Sequence, residues 1–333
     1  MAGEPSAREM VAALEARAQQ HEAKGDWVGL LETLANLAGL LRELDDEQRA
    51  RTALNQAYKV AQDLEDQEGM AQALHHMGVL FHLQGGWDRA LELHHRVLAL
   101  HNKANDLKGI ATTLGSIAEV LQGKGEFRKA LERYEESLAL KMQLQDAQGL
   151  ALTWNNVGTV RARMGDFPAA VQAFEKSLQM QEKLDDTLGK AVTLTNIGTI
   201  HQRQENWHEA LDAFMQSLAF YERAGNTLGT ASTLNSLGFV QRRVGNLDGA
   251  LQSYTRARDL MVTLGDLLRV TIPVHNMALI HEERGEYREA LRLMEEIISI
   301  DKRTGHPDLR QDLETFGRIR EKLDRQRDQR ASP

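Results

Sequence analysis

The 333-residue sequence contains no cysteine, and only 5% of its residues are aromatic. The lack of cysteine excludes disulfides, thiolate metal sites and cysteine nucleophiles, and it fits a reducing compartment. So few aromatic residues leave little material for stacking nucleic-acid bases. A formal net charge of −8 also argues against nucleic-acid binding, because phosphates are neutralised by clustered lysine and arginine. We therefore expect no nucleic-acid partner.

Long apolar runs and catalytic motifs are missing as well. No run approaches the roughly 20 apolar residues that span a bilayer, and the N-terminus lacks the basic region and apolar core of a secretory signal. We expect no membrane insertion and a cytoplasmic location. The sequence has no nucleophile elbow, phosphate-binding glycine loop, His-Glu zinc helix or paired-acid motif. It therefore predicts a protein that is not an enzyme and that needs no cofactor.

What the sequence does contain is a repeat of forty residues. Three columns of residues return at this spacing, and self-similarity at such a period is typical of a solenoid, in which each unit packs only on its neighbours. A solenoid favours a binding surface over a reaction centre. The columns are Asp26, Asp66, Asp106, Asp146, Asp186, Asn226 and Asp266; Gly29, Gly69, Gly109, Gly149, Gly189 and Gly229; and Ala50, Ala90, Ala130, Ala170, Ala210, Ala250 and Ala290.

Each repeat reads as a hairpin of two antiparallel helices, and residues 146–185 give the clearest example. Asp146 stands where a helix N-cap is expected, and apolar residues three and four apart predict a helix from about residue 148 to 163. Gly165 ends that helix, and a second helix follows over residues 167–184. In the sequence Gln204-Glu205-Asn206 we expect Asn206 to supply the turn. Small residues recur in the middle of the first helices, which indicates close packing between helices.

The ends of the chain depart from the repeat. Met10 contributes to the apolar stripe of a first capping helix, and Leu313 to that of a second, for which His306 occupies the capping column. Arg318 and Lys322 make the C-terminal end basic, either as a solvated helix face or as a contact for an acidic partner. The expected domains are a capping helix at 1–25, seven hairpins at 26–305, a second capping helix at 306–324 and a polar, disordered tail at 325–333.

The sequence Trp154, Val157-Gly158, Ala170 and Phe174 resembles the tetratricopeptide repeat (TPR). The usual period of that repeat is about 34 residues, and the longer period found here is similar to kinesin light chains and to the Pins-type adaptors. The resemblance implies an all-α fold, a right-handed superhelix of about seven hairpins, with the first helix of each hairpin on the concave side. It also implies a protein or peptide partner.

We expect the partner to bind the concave positions that packing does not use. Amide side chains can bond to an extended backbone, and arginines can pair with carboxylates, so we predict a scaffold or adaptor that binds an extended acidic peptide. The carboxylate clamp of chaperone-binding TPR proteins needs lysines where this chain has Ala35, His75 and Gly115. The predicted peptide-binding residues are Asn155, Asn156, Thr159, Arg163, Asn196, Thr199, Gln202, Arg203, Asn235, Phe239, Arg242, Arg243 and Asn276.

Two other functions stay open at this stage. One is a TPR-type signalling receptor that senses a peptide, and the other is self-assembly of the chain into dimers or filaments. The histidines on two successive helices, His75, His76 and His82 followed by His94, His95 and His101, raise the question of a metal site. His75 and His82 are about 10 Å apart along the helix axis, and His94 stands in a buried column. The spacing therefore predicts no metal site.

Overall fold

The computed structural model describes residues 7–44, 46–305 and 307–331, with side chains as far as residue 328. Within these residues the fold is entirely α-helical, and none of the helices is long and apolar enough to cross a membrane. The helices are α1 (Ala7–Lys24), α2 (Trp27–Glu43), α3 (Glu47–Asp63), α4 (Gln67–Leu83), α5 (Trp87–Ala104), α6 (Leu107–Lys124), α7 (Phe127–Gln143), α8 (Ala147–Arg163), α9 (Phe167–Lys183), α10 (Thr187–Arg203), α11 (Trp207–Arg223), α12 (Thr227–Arg243), α13 (Leu247–Thr263), α14 (Leu267–Glu283), α15 (Tyr287–Thr304) and α16 (Leu309–Ala331).

The aspartate and glycine columns form one N-capping unit. Asp186 precedes α10, and its carboxylate accepts a hydrogen bond from the backbone N–H of Gly189 at 2.8 Å. This bond satisfies one of the four N–H groups that the start of a helix leaves unpaired. A Cβ at Gly189 would overlap the second carboxylate oxygen of Asp186. At Gly189 the capping carboxylate thus occupies the space that a Cβ would need, whereas Asp266 makes the same capping bond to the N–H of Arg269, at 3.1 Å.

The helices end as the sequence predicts at one turn and differently at another. Gly165 has a φ of +81°, the left-handed conformation expected after α8. At the turn after α10 the left-handed residue is Glu205, with a φ of +59°, and Asn206 is instead the N-cap residue of α11. The prediction that Asn206 makes this turn was wrong, because the turn position is set by the forty-residue register rather than by residue type.

The alanine and mid-helix glycine columns let the helices pack closely. In the alanine column, every residue from Ala50 to Ala290 is fully buried. A Cβ on Gly198 would lie 2.8 Å from the ring of Phe214, and a Cβ on Gly238 the same distance from the ring of Tyr254. These glycines therefore leave room for an aromatic ring of the next helix, which confirms close packing as the reason for the column.

The chain divides into an N-terminal unit, Met1–Ala173, and a C-terminal unit, Phe174–Pro333, with the division inside α9. In the N-terminal unit α1 packs on α2, and the hairpins α2–α3, α4–α5 and α6–α7 follow, with α8 on α7. In the C-terminal unit the hairpins α10–α11, α12–α13 and α14–α15 are followed by α16, which packs on α15. Each hairpin buries its apolar side chains against its neighbours within the unit.

The terminal helices differ in detail from the prediction. In α1 the buried side chains are Val11 and Ala18, whereas Met10 is 45% exposed. In α16 Ile319 is fully buried, while Leu313 is 44% exposed. The helix continues to Ala331, so the expected disordered tail is helical over most of its length. Residues 1–6, His306 with its predicted capping role, residues 332–333 and the Arg330 side chain lie outside the described residues.

Ion pairs hold α16 against α14. The carboxylate of Glu282, which is buried, accepts hydrogen bonds from Arg318 and from Lys322, the latter at 2.8 Å. The buried carboxylate of Asp312 lies 3.0 Å from His275 Nδ1. Burial raises the pKa of Glu282, but the hydrogen bonds from Lys322 and Arg318 outweigh it and leave the pKa below its ordinary value. Two of the basic residues at this end therefore serve the packing of the helix.

Candidate functional site

The candidate surface of the C-terminal unit is formed by one face of its first helices, α10, α12 and α14. Side chains four, seven and eleven positions apart lie on the same face of a helix, because 3.6 residues make one turn. We call this surface the C-terminal face. It consists of Leu188, Val192, Asn196, Thr199, Gln202 and Arg203 on α10; Leu228, Ser232, Asn235, Phe239, Arg242 and Arg243 on α12; and Leu268, Ile272, Asn276, Leu279 and Glu283 on α14.

The arginines at the end of this face are in two different states. Arg242 donates to the carboxylate of Glu283, with the Nε–Oε1 distance at 3.0 Å. Arg243 lies 3.8 Å from Glu205 and 5.0 Å above the ring of Trp207, a cation–π arrangement. Arg203 is exposed and forms no ion pair with any residue that the structure describes. Its guanidinium is therefore the most available group on this face for an external carboxylate.

The middle of the face is polar with one aromatic contact. The amide of Asn276 donates to the amide oxygen of Asn235 at 3.4 Å, which joins α14 to α12. Phe239 packs toward Trp207, with ring centroids 6.4 Å apart. The hydroxyl of Thr199 donates to the carbonyl of Thr195 in its own helix at 2.9 Å. Thr199 can thus accept a hydrogen bond from a ligand but has no donor left for one.

The predicted residues of the N-terminal unit lie on α8. Asn156 donates to the carboxylate of Glu119 at 2.9 Å, and the hydroxyl of Thr159 donates to the carbonyl of Asn155 at 3.1 Å. Desolvation by the surrounding helices raises the pKa of Glu119, which the bond from Asn156 partly offsets. Arg163 is exposed and has no ion pair within the described part of the chain. Asn156 thus has a structural bond between repeats, and Arg163 remains available.

An apolar row on the C-terminal face was missed by our reading of the sequence. It lies at the beginning of the three helices, and its side chains keep about two fifths to one half of their surface in solvent. Extending the helical spacing backwards from Asn196 would have found it, since residues four and eight positions earlier, Val192 and Leu188, share its face. The row consists of Leu188 (44% exposed), Val192 (39%), Leu228 (42%), Leu268 (49%) and Ile272 (51%).

The histidines form a packed cluster in the N-terminal unit. His94 is 1% exposed, and a Cβ on Gly78 would lie 2.7 Å from its ring. Its ring centroid is 5.4 Å from that of His75, which in turn lies 5.5 Å from that of His76. Burial, with a smaller contribution from neighbouring histidines, lowers the pKa of His94 to about 3 and that of His75 to about 4. Within the described residues no three histidine or acidic side chains are placed to hold a metal ion.

Comparison with sequence models of known families shows the family of this chain. The model of the tetratricopeptide repeat matches residues 69–143, 149–223, 191–261 and 229–303. The chain belongs to the tetratricopeptide repeat family. The model of anaphase-promoting complex subunit 5 also matches residues 18–85. No curated protein sequence matches this TPR chain.

Three solved structures of other proteins are similar in fold. BtubC (BKLC) from P. vanneervenii has a TM-score of 0.60 at 19% identity, over 67% of this chain and 94% of its own. A Podosopora anserina protein described as a kinesin light chain with nearly identical TPR-like repeats has a TM-score of 0.50 at 15% identity, over 58% and 95%. Aspartyl phosphate phosphatase F from Bacillus subtilis has a TM-score of 0.60 at 12% identity, over 90% and 84%. These structural similarities show the all-α solenoid fold and leave the partner open.

Proposed function

We propose that this TPR chain is a non-enzymatic scaffold that binds an extended, acidic peptide segment of a partner protein on the faces of its first helices. The observation that carries this proposal is Arg203, which is exposed on the C-terminal face and forms no ion pair within the described residues. A guanidinium group offers paired hydrogen bonds that match the geometry of a carboxylate. The partner therefore carries aspartate or glutamate near this position.

The intramolecular pairs on the same face support the acidic character of the partner. Glu283 reaches Arg242, and Glu205 reaches Arg243. Carboxylates thus already approach this end of the face from the chain itself. Arg203 has the same position in its helix as Arg243, and the carboxylate that would complete it comes from the partner. In the N-terminal unit Arg163 offers a second, separate contact of the same kind.

The proposed role does not include catalysis. The titratable groups whose pKa the fold perturbs most are used in packing: burial lowers the pKa of His94 and raises that of Tyr134 and Tyr254. Each of these rings lies in a hairpin core rather than in an open cleft. We also propose that the chain acts in the cytoplasm, where the lack of cysteine carries no penalty.

The test compares the partners captured by charge-reversed variants. Immobilised wild type, Arg203→Glu and the double variant Arg163→Glu/Arg203→Glu are exposed to cell extract, and the bound proteins are identified by mass spectrometry. Arg223→Glu is the matched control, because Arg223 is exposed at the end of α11, a second helix, and outside the C-terminal face. We expect Arg203→Glu to lose the partner that wild type and Arg223→Glu retain. Equal capture by all four proteins, with unchanged circular dichroism, would contradict the proposal.

A further inference from the structure

We infer that the partner segment has two chemically different edges, with apolar side chains along one edge and carboxylates along the other. The apolar edge would cover the apolar row of the C-terminal face, and the acidic edge would lie beside Arg203. This inference rests on the proposed function and adds the sequence character of the segment. Its first support is the row itself, in which five large apolar side chains share one face of three successive first helices.

The fold does not require apolar residues at these positions. In the N-terminal unit the first helices α4 and α6 carry Glu68, Gln72, Lys108 and Thr112 at the equivalent places in the repeat, whereas α2 and α8 each carry one exposed apolar residue there, Val28 and Leu152. The helices α4 and α6 begin with the same aspartate cap and pack in the same kind of hairpin. Exposed apolar residues scattered singly are ordinary on protein surfaces, whereas a contiguous patch marks an interaction site. The repeat does not require the row: five of the six equivalent positions are apolar in the C-terminal unit, against two of eight in the N-terminal unit.

The charges on the face complement an acidic edge. Neither α10 nor α12 contains an aspartate or glutamate, and their last turns carry Arg203, Arg242 and Arg243. The only carboxylates that approach these arginines within the described residues come from Glu205 and Glu283, which pair with Arg243 and Arg242. A basic partner would therefore meet unbalanced positive charge here, and a neutral one would leave Arg203 without a partner.

The spacing of the two rows fits an extended segment that lies across the helices. On α10, Val192 is eleven residues from Arg203, about 16 Å along the axis, and Leu188 is fifteen residues away, about 22 Å. Successive side chains of an extended chain point to opposite sides. One set of alternate residues can thus reach the apolar row while the other set reaches toward the arginine side chains, which extend to meet it. The expected sequence character is an alternation of apolar and acidic residues.

A displayed library of random twelve-residue peptides tests the inference on the full chain. Peptides enriched on wild type are made individually with a fluorescent label, and their affinities are measured by anisotropy. The row variant is Leu228→Ser/Ile272→Ser, and Arg203→Glu removes the charge contact. Met215→Ser is the matched control, because Met215 is 54% exposed on the second helix α11, outside the C-terminal face. All the substituted side chains are partly exposed, so the fold is retained, which circular dichroism checks.

We expect the enriched peptides to combine apolar and acidic residues. They should bind the row variant about tenfold more weakly, since two partly exposed apolar side chains no longer contribute to burial, and they should bind the control as they bind wild type. Enrichment of acidic peptides that lose affinity for Arg203→Glu but bind the row variant normally would overturn this inference and leave the proposed function standing. Peptides without acidic residues, or no enrichment at all, would overturn both.

Discussion

Replacing His94 with phenylalanine should stabilise the protein, and more so in mild acid. His94 is almost fully buried against Gly78, and its Nδ1 has no hydrogen-bond partner within the described residues. The equivalent positions in α9 and α11 hold Phe174 and Phe214, both buried. Phenylalanine thus already fills this place in two other repeats. The substitution removes an unsatisfied polar atom and keeps a ring of similar size over the glycine.

The expected gain can be worked out at two pH values. A buried polar group without a partner costs about 1–3 kcal/mol, so His94→Phe should raise the free energy of unfolding by about 1–2 kcal/mol at pH 7. The folded pKa of His94 is about 3, against 6.5 for an ordinary histidine. The free energy of unfolding of the wild type is therefore highest above pH 6.5. It falls as the pH drops from 6.5 toward 3, because the unfolded chain binds the proton first. The loss between pH 7 and pH 5 amounts to about 2 kcal/mol.

Urea unfolding followed by circular dichroism at pH 7, 6 and 5 measures both effects, at constant ionic strength. Because a solenoid can unfold locally, hydrogen exchange of the amides in α4 and α5 should be measured alongside the urea unfolding. His95→Phe is the control: His95 is exposed on the same helix, and its Nδ1 lies 2.6 Å from the carbonyl oxygen of Leu91. The reasoning fails if wild type and His94→Phe lose the same stability between pH 7 and pH 5, or if the variant is less stable at pH 7.

Three further predictions concern packing, capping and the C-terminal helix. Gly198→Ala should lower the urea midpoint by an amount equivalent to about 1–3 kcal/mol, because its Cβ would lie 2.8 Å from the ring of Phe214; an unchanged midpoint would refute the close-packing argument. Asp186→Ala should cost about 1 kcal/mol, and Gly189→Ala should be less costly in that background than in wild type, a coupling that a double-mutant cycle measures. Glu282→Gln should speed hydrogen exchange in α16 at pH 7. In the wild type the protection of α16 against exchange should decrease as the pH falls below about 4.5, since the folded pKa of Glu282 is depressed, whereas exchange in the variant should not show this change.

The local features of the repeat could be predicted from the sequence because each depends on a few neighbouring residues. The capping bond of Asp146 to the N–H of Gly149, at 2.9 Å, joins residues three apart. The turn at Glu205 was predicted one residue too late, at Asn206, because residue preference was given more weight than register. At the C-terminus the exposed Leu313 and the helix that continues through the expected tail were missed. A terminal helix packs on one side only, so the spacing of its apolar residues does not decide which of them are buried.

The candidate face could be predicted only in outline. Helical spacing places Thr199 and Arg203 on one face of α10, and Asn276 on the equivalent face of α14. Spacing within one helix does not reveal which side chains are already satisfied by another repeat, as Asn156 is by Glu119. Whether these residues bind a ligand therefore stays a prediction, which the variants of Arg163 and Arg203 test.

The repeat period itself explains why Arg203 stands out. Some side-chain bonds join residues about one period apart: Asn156 bonds to Glu119, 37 residues earlier, and Arg242 bonds to Glu283, 41 residues later. A polar residue on a first helix can thus find an internal partner in the preceding repeat or in the next one. For Arg203 the window in the next repeat covers residues 239–244, which contain no acidic residue. In the preceding repeat Asp166 stands 37 residues earlier, and its carboxylate pairs with Arg161 at 3.4 Å. The next repeat thus supplies no carboxylate for Arg203, and the only acid one period earlier is paired with Arg161. This is the reason that we propose an external carboxylate as the partner of Arg203.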